Sequence, residues 1–146
     1  YPDAILVATH RDPAECAPST ASLMGYLHGF TSELSRPGEL GQTALQFTHG
    51  CSEGLIEFHQ DHLDDDSVVH VAYTDLVKDP VGTVRRLYGQ INRPLTPDVE
   101  AALEAHAATR IQHQHGVHRY TPEQFELDPD ELREQFVDYR ETFGLS

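Results

Sequence analysis

Residues 4–8, "AILVA", are apolar without alternation, the pattern of a strand buried on both faces inside a parallel sheet. Polar residues then take over at "THRDP". Asp12 followed by Pro13 pairs a helix N-cap with a proline whose missing N–H would be unsatisfied anyway. This predicts a helix over 13–34, bent near Pro18. The segment "SRPGELG" reads as a turn. A second helix is expected over 39–62, with Leu45, Cys51, Leu55 and Phe58 facing inward. The acidic "DDD" at 64–66 closes it, and "SVVHVAY" at 67–73 reads as a second strand. Asp79-Pro80 repeats the helix-start signal, and Thr96-Pro97 opens a helix to about Arg110. "IQHQHGVHRY" has no period and reads as a loop. Thr121 with Gln124 forms a capping-box pattern, as does Asp128 with Glu131; the latter predicts a helix ending near Phe143, with Gly144 as its stop.

Two strands amid five or six helices make an α/β chain. A two-stranded parallel sheet leaves its edges unpaired and its faces uncovered. The expectation is therefore one domain over 1–146 that is the second half of a larger sheet: a strand–turn–helix at 4–34, a strand and helix at 67–92, and helices over 97–144. Tyr1 in place of Met, with a strand starting three residues later, points the same way, to the C-terminal portion of a longer protein.

A hydrophobic share of 38% among 146 residues is enough for a core, and no apolar run is long enough to span a membrane. The formal net charge of −14 excludes nonspecific nucleic-acid binding and an anionic membrane surface. Nine arginines against one lysine, Lys78, reflect genome composition, as in a GC-rich bacterium. Cys16 and Cys51 have no metal or redox spacing and read as buried or half-buried free thiols in a reducing, cytoplasmic compartment. Histidines at 113, 115 and 118 crowd one loop, but no acidic or cysteine ligand stands nearby and no metal is expected. His70 is expected to be a packed, hydrogen-bonded strand residue. Phe136, Tyr139 and Phe143 recur at helical spacing and belong to a core. Arg85 and Arg86 read as a solvated face.

The cation at a strand tip needs a reason in so acidic a chain. Ligands of open parallel sheets bind beyond the carboxyl ends of the strands, where Arg11 falls. The helix start that follows offers unpaired N–H groups, and Ser19 lies eight residues on from Arg11. A guanidinium and a hydroxyl converging on one point would hold a phosphate. The alternative is that Arg11 pairs with an acidic neighbour and Ser19 is a surface residue.

"HRDPAECAPS" resembles the 3′-phosphate-binding segment of the sulfotransferases that use 3′-phosphoadenosine 5′-phosphosulfate (PAPS). In that family an arginine at a strand end and a serine eight residues later bind the 3′-phosphate, which Arg11 and Ser19 match in type and spacing. "YTDLVKDPVGTVRRLYGQINRPLTP" is similar to the family's Tyr-x-Asp-Leu element, and Tyr73 matches the tyrosine beside the adenine. "HGVHRYTPEQFELDPDELREQFVDYRETFGL" resembles the C-terminal signature of a bacterial branch, in which His115, Gly116 and Arg119 fall in the phosphate-directed loop. The three segments occur in family order and cover essentially the whole chain.

The resemblance implies the C-terminal part of a P-loop-like three-layer α/β fold, helix-rich and incomplete by itself. It implies PAPS as co-substrate, adenosine 3′,5′-bisphosphate as product, and a small-molecule, lipid or glycan acceptor with a hydroxyl or amine. Two departures weaken the anion's grip. Gln114-His115-Gly116 stands where the family has Lys-His-Gly, and Glu126 stands where a glycine is usual. No strand–Gly-rich–Lys/Arg–Ser/Thr turn for the phosphosulfate occurs among the 146 residues, and no catalytic base is identified. A non-catalytic nucleotide-binding remnant and a helical interaction domain are the alternatives. An isolated chain of this kind is expected to self-associate and to be inactive in sulfuryl transfer.

Overall fold

A computed structural model describes residues 3–29, 36–109 and 120–145. The chain forms two compact units: residues 1–10 with 64–117, and residues 11–63 with 118–146.

The first unit holds a parallel pair of strands, β1 (Leu6–His10) and β2 (Val68–Ala72), in the register Leu6↔Val68 to His10↔Ala72. The strand expected over 4–8 therefore lies two residues later and takes in Thr9 and His10. Helices α3 (Tyr73–Lys78) and α4 (Pro80–Gln90) pack against β2, and α5 (Pro97–Thr109) packs against α4. Tyr73, expected to end the strand, instead opens α3. This short helix is held to the next one where the Thr83 hydroxyl donates to the Asp75 carbonyl at 3.1 Å. Arg85 of α4 donates to Glu100 of α5 at 2.7 Å, and Arg86 donates to the Thr83 hydroxyl at 2.9 Å. Both arginines are exposed, as a solvated face requires, and both have protein partners.

The second unit is helical: α1 (Pro13–His28), α2 (Pro37–Asp61), a 3₁₀ turn (Pro122–Phe125), α6 (Pro129–Gln135) and α7 (Val137–Thr142). Each Asp-Pro pair starts a helix as its chemistry predicts. Asp12 Oδ1 accepts from Ala14 N, Asp79 Oδ1 from Gly82 N, and Asp128 Oδ1 from Asp130 N and Glu131 N. Gln124 Oε1 accepts from Thr121 N at 3.0 Å, the reach-back half of a capping box. The first helix is shorter than the 13–34 expected, ending at His28, and residues 30–35 lie outside the described residues.

The inward face of α2 differs in part from the one expected. The buried positions are Leu40, Gly41, Ala44, Thr48 and Ser52; Leu45 is half-buried and packs against the core as expected, Leu55 and Phe58 are half-buried, and Cys51 is exposed. Size explains it: α1 presents Ala17 and Ala21, both fully buried, and small residues on α2 let the two helices approach closely. The buried Thr48 hydroxyl is satisfied by donating to the Ala44 carbonyl at 2.8 Å. Ala17, Leu127, Leu132 and Phe136 form the core of this unit. The single helix expected over 129–143 breaks at Phe136, whose ring is buried and stacks on His49 with centroids 4.4 Å apart. Phe136 and Tyr139 are buried, as their spacing predicts. Among the described residues, no helix is long and apolar enough to cross a membrane.

Candidate functional site

Arg11 is the first residue of the chain after β1, and Asp12 caps the helix that follows. Asp12 uses both oxygens. Oδ1 caps Ala14, and Oδ2 lies 3.5 Å from Arg140 Nε of α7. That Nε is buried and makes no hydrogen bond, so the contact is a charge pair rather than an aligned donor–acceptor pair. It ties the last helix to the turn that carries Arg11.

The Arg11 guanidinium lines a cavity of about 510 Å³ together with Glu15, Pro18, Tyr120, Pro122 and Arg133. Arg11 Nε donates to Glu15 Oε2 at 3.0 Å. Burial works against the Arg11 charge, but the hydrogen bond and attraction from Glu15 outweigh it and leave the guanidinium above its ordinary value. An exposed i,i+4 pair of this kind contributes only about 0.3–0.5 kcal/mol, so an incoming phosphate displaces Glu15 at little cost. Burial pushes the Cys16 thiol up despite the opposing pull of Arg11. It is therefore a protonated structural thiol rather than a nucleophile.

Ser19, on the same helix, is half-buried and lines a different cavity of about 390 Å³ with Ser22, Leu23 and Tyr26. The structure thus sets Arg11 just before the helix that carries Ser19 but does not place the two in one cavity. Tyr73 belongs to the other unit, with its side chain exposed at the start of α3. His115, Gly116 and Arg119 lie outside the described residues, as do His113 and His118. His10 is buried at the carboxyl end of β1, and its Nε2 is 2.8 Å from His70 Nδ1. His70 is the packed, hydrogen-bonded histidine expected. A third cavity, about 560 Å³ at the start of α2, is lined by Arg36 but also by Glu39 and Glu126, which makes it a poor anion site. Tyr120 and Arg133 were not legible as site residues. Each is surrounded in sequence by helix-start signals, and only the fold carries them to Arg11.

The model of the Sulfotransferase family matches residues 1–98, and the chain belongs to that family. The crystal structure of the sulfotransferase STF9 from Mycobacterium avium matches over 100% of this chain with a TM-score of 0.84 and 25% sequence identity. This chain spans 38% of the STF9 chain. No curated protein matches. The helix-rich α/β architecture with a small parallel sheet is a sulfotransferase fold.

Proposed function

We propose that this chain carries the nucleoside-3′-phosphate side of a PAPS-dependent sulfotransferase. The complete protein transfers the sulfuryl group of PAPS to a hydroxyl or amine of a small molecule, lipid or glycan and releases adenosine 3′,5′-bisphosphate. The observation that carries this reading is Arg11, held at a strand end and facing a cavity of about 510 Å³, in a chain of the Sulfotransferase family. Its guanidinium offers a planar fork of donors to phosphate oxygens. The family resemblance further assigns Ser19 to the 3′-phosphate, Tyr73 to the adenine, and His115, Gly116 and Arg119 to the phosphate-directed loop, although Ser19 lines a different cavity from Arg11. Transfer itself needs cations and donors around the sulfuryl oxygens and the leaving phosphate, by the electrostatic logic of phosphoryl transfer. None of the residues named here is assigned that role.

Calorimetric titration of the full-length protein tests the reading. Arg11→Ala should weaken adenosine 3′,5′-bisphosphate by about 1.5–3 kcal/mol, roughly ten- to a hundred-fold, and adenosine 5′-phosphate far less. Ser19→Ala should cost about 0.5–1.5 kcal/mol. Equal losses for the two nucleotides would remove the assignment, and no saturable binding by the unaltered protein would favour an interaction domain.

A further inference from the structure

Arg133 lies within the C-terminal family-like segment but is not singled out there, yet it lines the same cavity as Arg11. The charges around that cavity do not favour an anion without it. Arg11 is matched by its own Glu15, and Asp12, the other lining carboxylate, is matched by Arg140. The charged residues among the described lining, Arg11, Asp12, Glu15 and Arg133, therefore sum to zero, and without Arg133 the lining would be net negative. A phosphate monoester carries about −1.5 to −2 charges at neutral pH, which one already neutralised guanidinium serves poorly.

Arg133 is also available. Its contact is Asp130 Oδ1, one helical turn earlier at 3.3 Å, and the two side chains are 64% and 89% exposed. A pair that open to water is screened and gives up its arginine at small cost. The guanidinium reaches the cavity from α6, which packs against α1, so α6 and the turn before α1 bring one arginine each.

We propose that Arg133 is the second phosphate-binding cation of the Arg11 cavity and acts with Arg11 to select nucleotides carrying a 3′-phosphate. This rests on the reading of that cavity given above. The test is titration of the full-length protein with adenosine 3′,5′-bisphosphate and with adenosine 5′-phosphate, for the unaltered protein, Arg133→Ala, Arg133→Lys and Arg11→Ala. Arg133→Ala should weaken the bisphosphate about ten-fold or more while leaving the monophosphate nearly unchanged. Arg133→Lys should recover part of the loss, because the charge returns without the planar fork. If Arg11→Ala weakens the bisphosphate selectively and Arg133→Ala does not, Arg133 is a solvated surface residue and this inference falls alone. If neither variant separates the two nucleotides, the reading of the cavity falls with it. Parallel losses for both nucleotides in Arg133→Ala also overturn the proposal. Thermal melts establish that each variant is folded, and Arg133→Gln, which keeps the side chain's length, replaces the alanine variant if that one is not.

Discussion

At the scale of single residues, Tyr139 shows how burial sets chemistry. Its side chain is 4% exposed, and its phenol is pushed up to about 12 from 10.0, by burial first and by the neighbouring Cys16 and Cys51 second. The folded chain thus holds this proton to higher pH than the unfolded chain does. The associated stability is complete below pH 10 and is lost as pH rises through the folded value. The loss amounts to about 2–3 kcal/mol. Chemical denaturation between pH 9 and 12 should show this fall, and Tyr139→Phe should flatten it; an unchanged slope in that variant would place the titration elsewhere. Glu126 shows a backbone constraint of a similar kind. It sits in the left-handed region at φ 57°, ψ 33°, which costs a side-chain-bearing residue about 1–2 kcal/mol. That explains why a glycine suits the position. Neither effect is visible in the residue types alone, whereas the candidate role of Arg11 was legible from its spacing to Asp12, Pro13 and Ser19.

At the scale of elements, α2 packs closely on the 3₁₀ turn because it presents a glycine there. Gly41 is buried, and a Cβ there would run into the carbonyl oxygen of Phe125 in the 3₁₀ turn. Backbone cannot swing aside as a side-chain tip can. Gly50, also in α2, is exposed with open space around it. The same substitution should therefore have opposite signs. Gly41→Ala should destabilise by about 1–3 kcal/mol through overpacking. Gly50→Ala should stabilise by about 0.5–1 kcal/mol through helix propensity. Urea unfolding midpoints of the two variants check this, and a stabilised Gly41→Ala would show that the 3₁₀ turn gives way easily. Helix starts were readable here because an N-cap acts within three residues. The buried face of α2 was not, because Thr48 and Ser52 are inward only in relation to elements distant in the chain that pack on this helix.

At the scale of the whole chain, the strand pair is the exposed feature. Leu6 and Val7 point to opposite faces of β1 and are 52% and 43% exposed. A parallel strand with apolar side chains open on both faces is a template for further pairing. The 146-residue chain by itself should therefore self-associate with rising concentration. Leu6→Lys with Val7→Lys should suppress this in sedimentation velocity, and a monomer at all concentrations before substitution would show that the exposed strand is inert.

The sequence by itself determined what local chemistry decides: the two apolar strands, the three Asp-Pro helix starts, the core spacing of Phe136 and Tyr139, and the Arg11 segment that marks the family. These depend on neighbours within a turn or two, so their signals are written in adjacent residues. Only the tertiary structure decided that Gly41, Ala44, Thr48 and Ser52 face inward, that the last helix breaks at Phe136, that Ser19 opens onto a different cavity from Arg11, and that Arg133 joins Arg11 at one cavity. These depend on how whole elements pack, in the case of Arg11 with Arg133 between segments far apart in the chain, where packing and charge balance outweigh local preference.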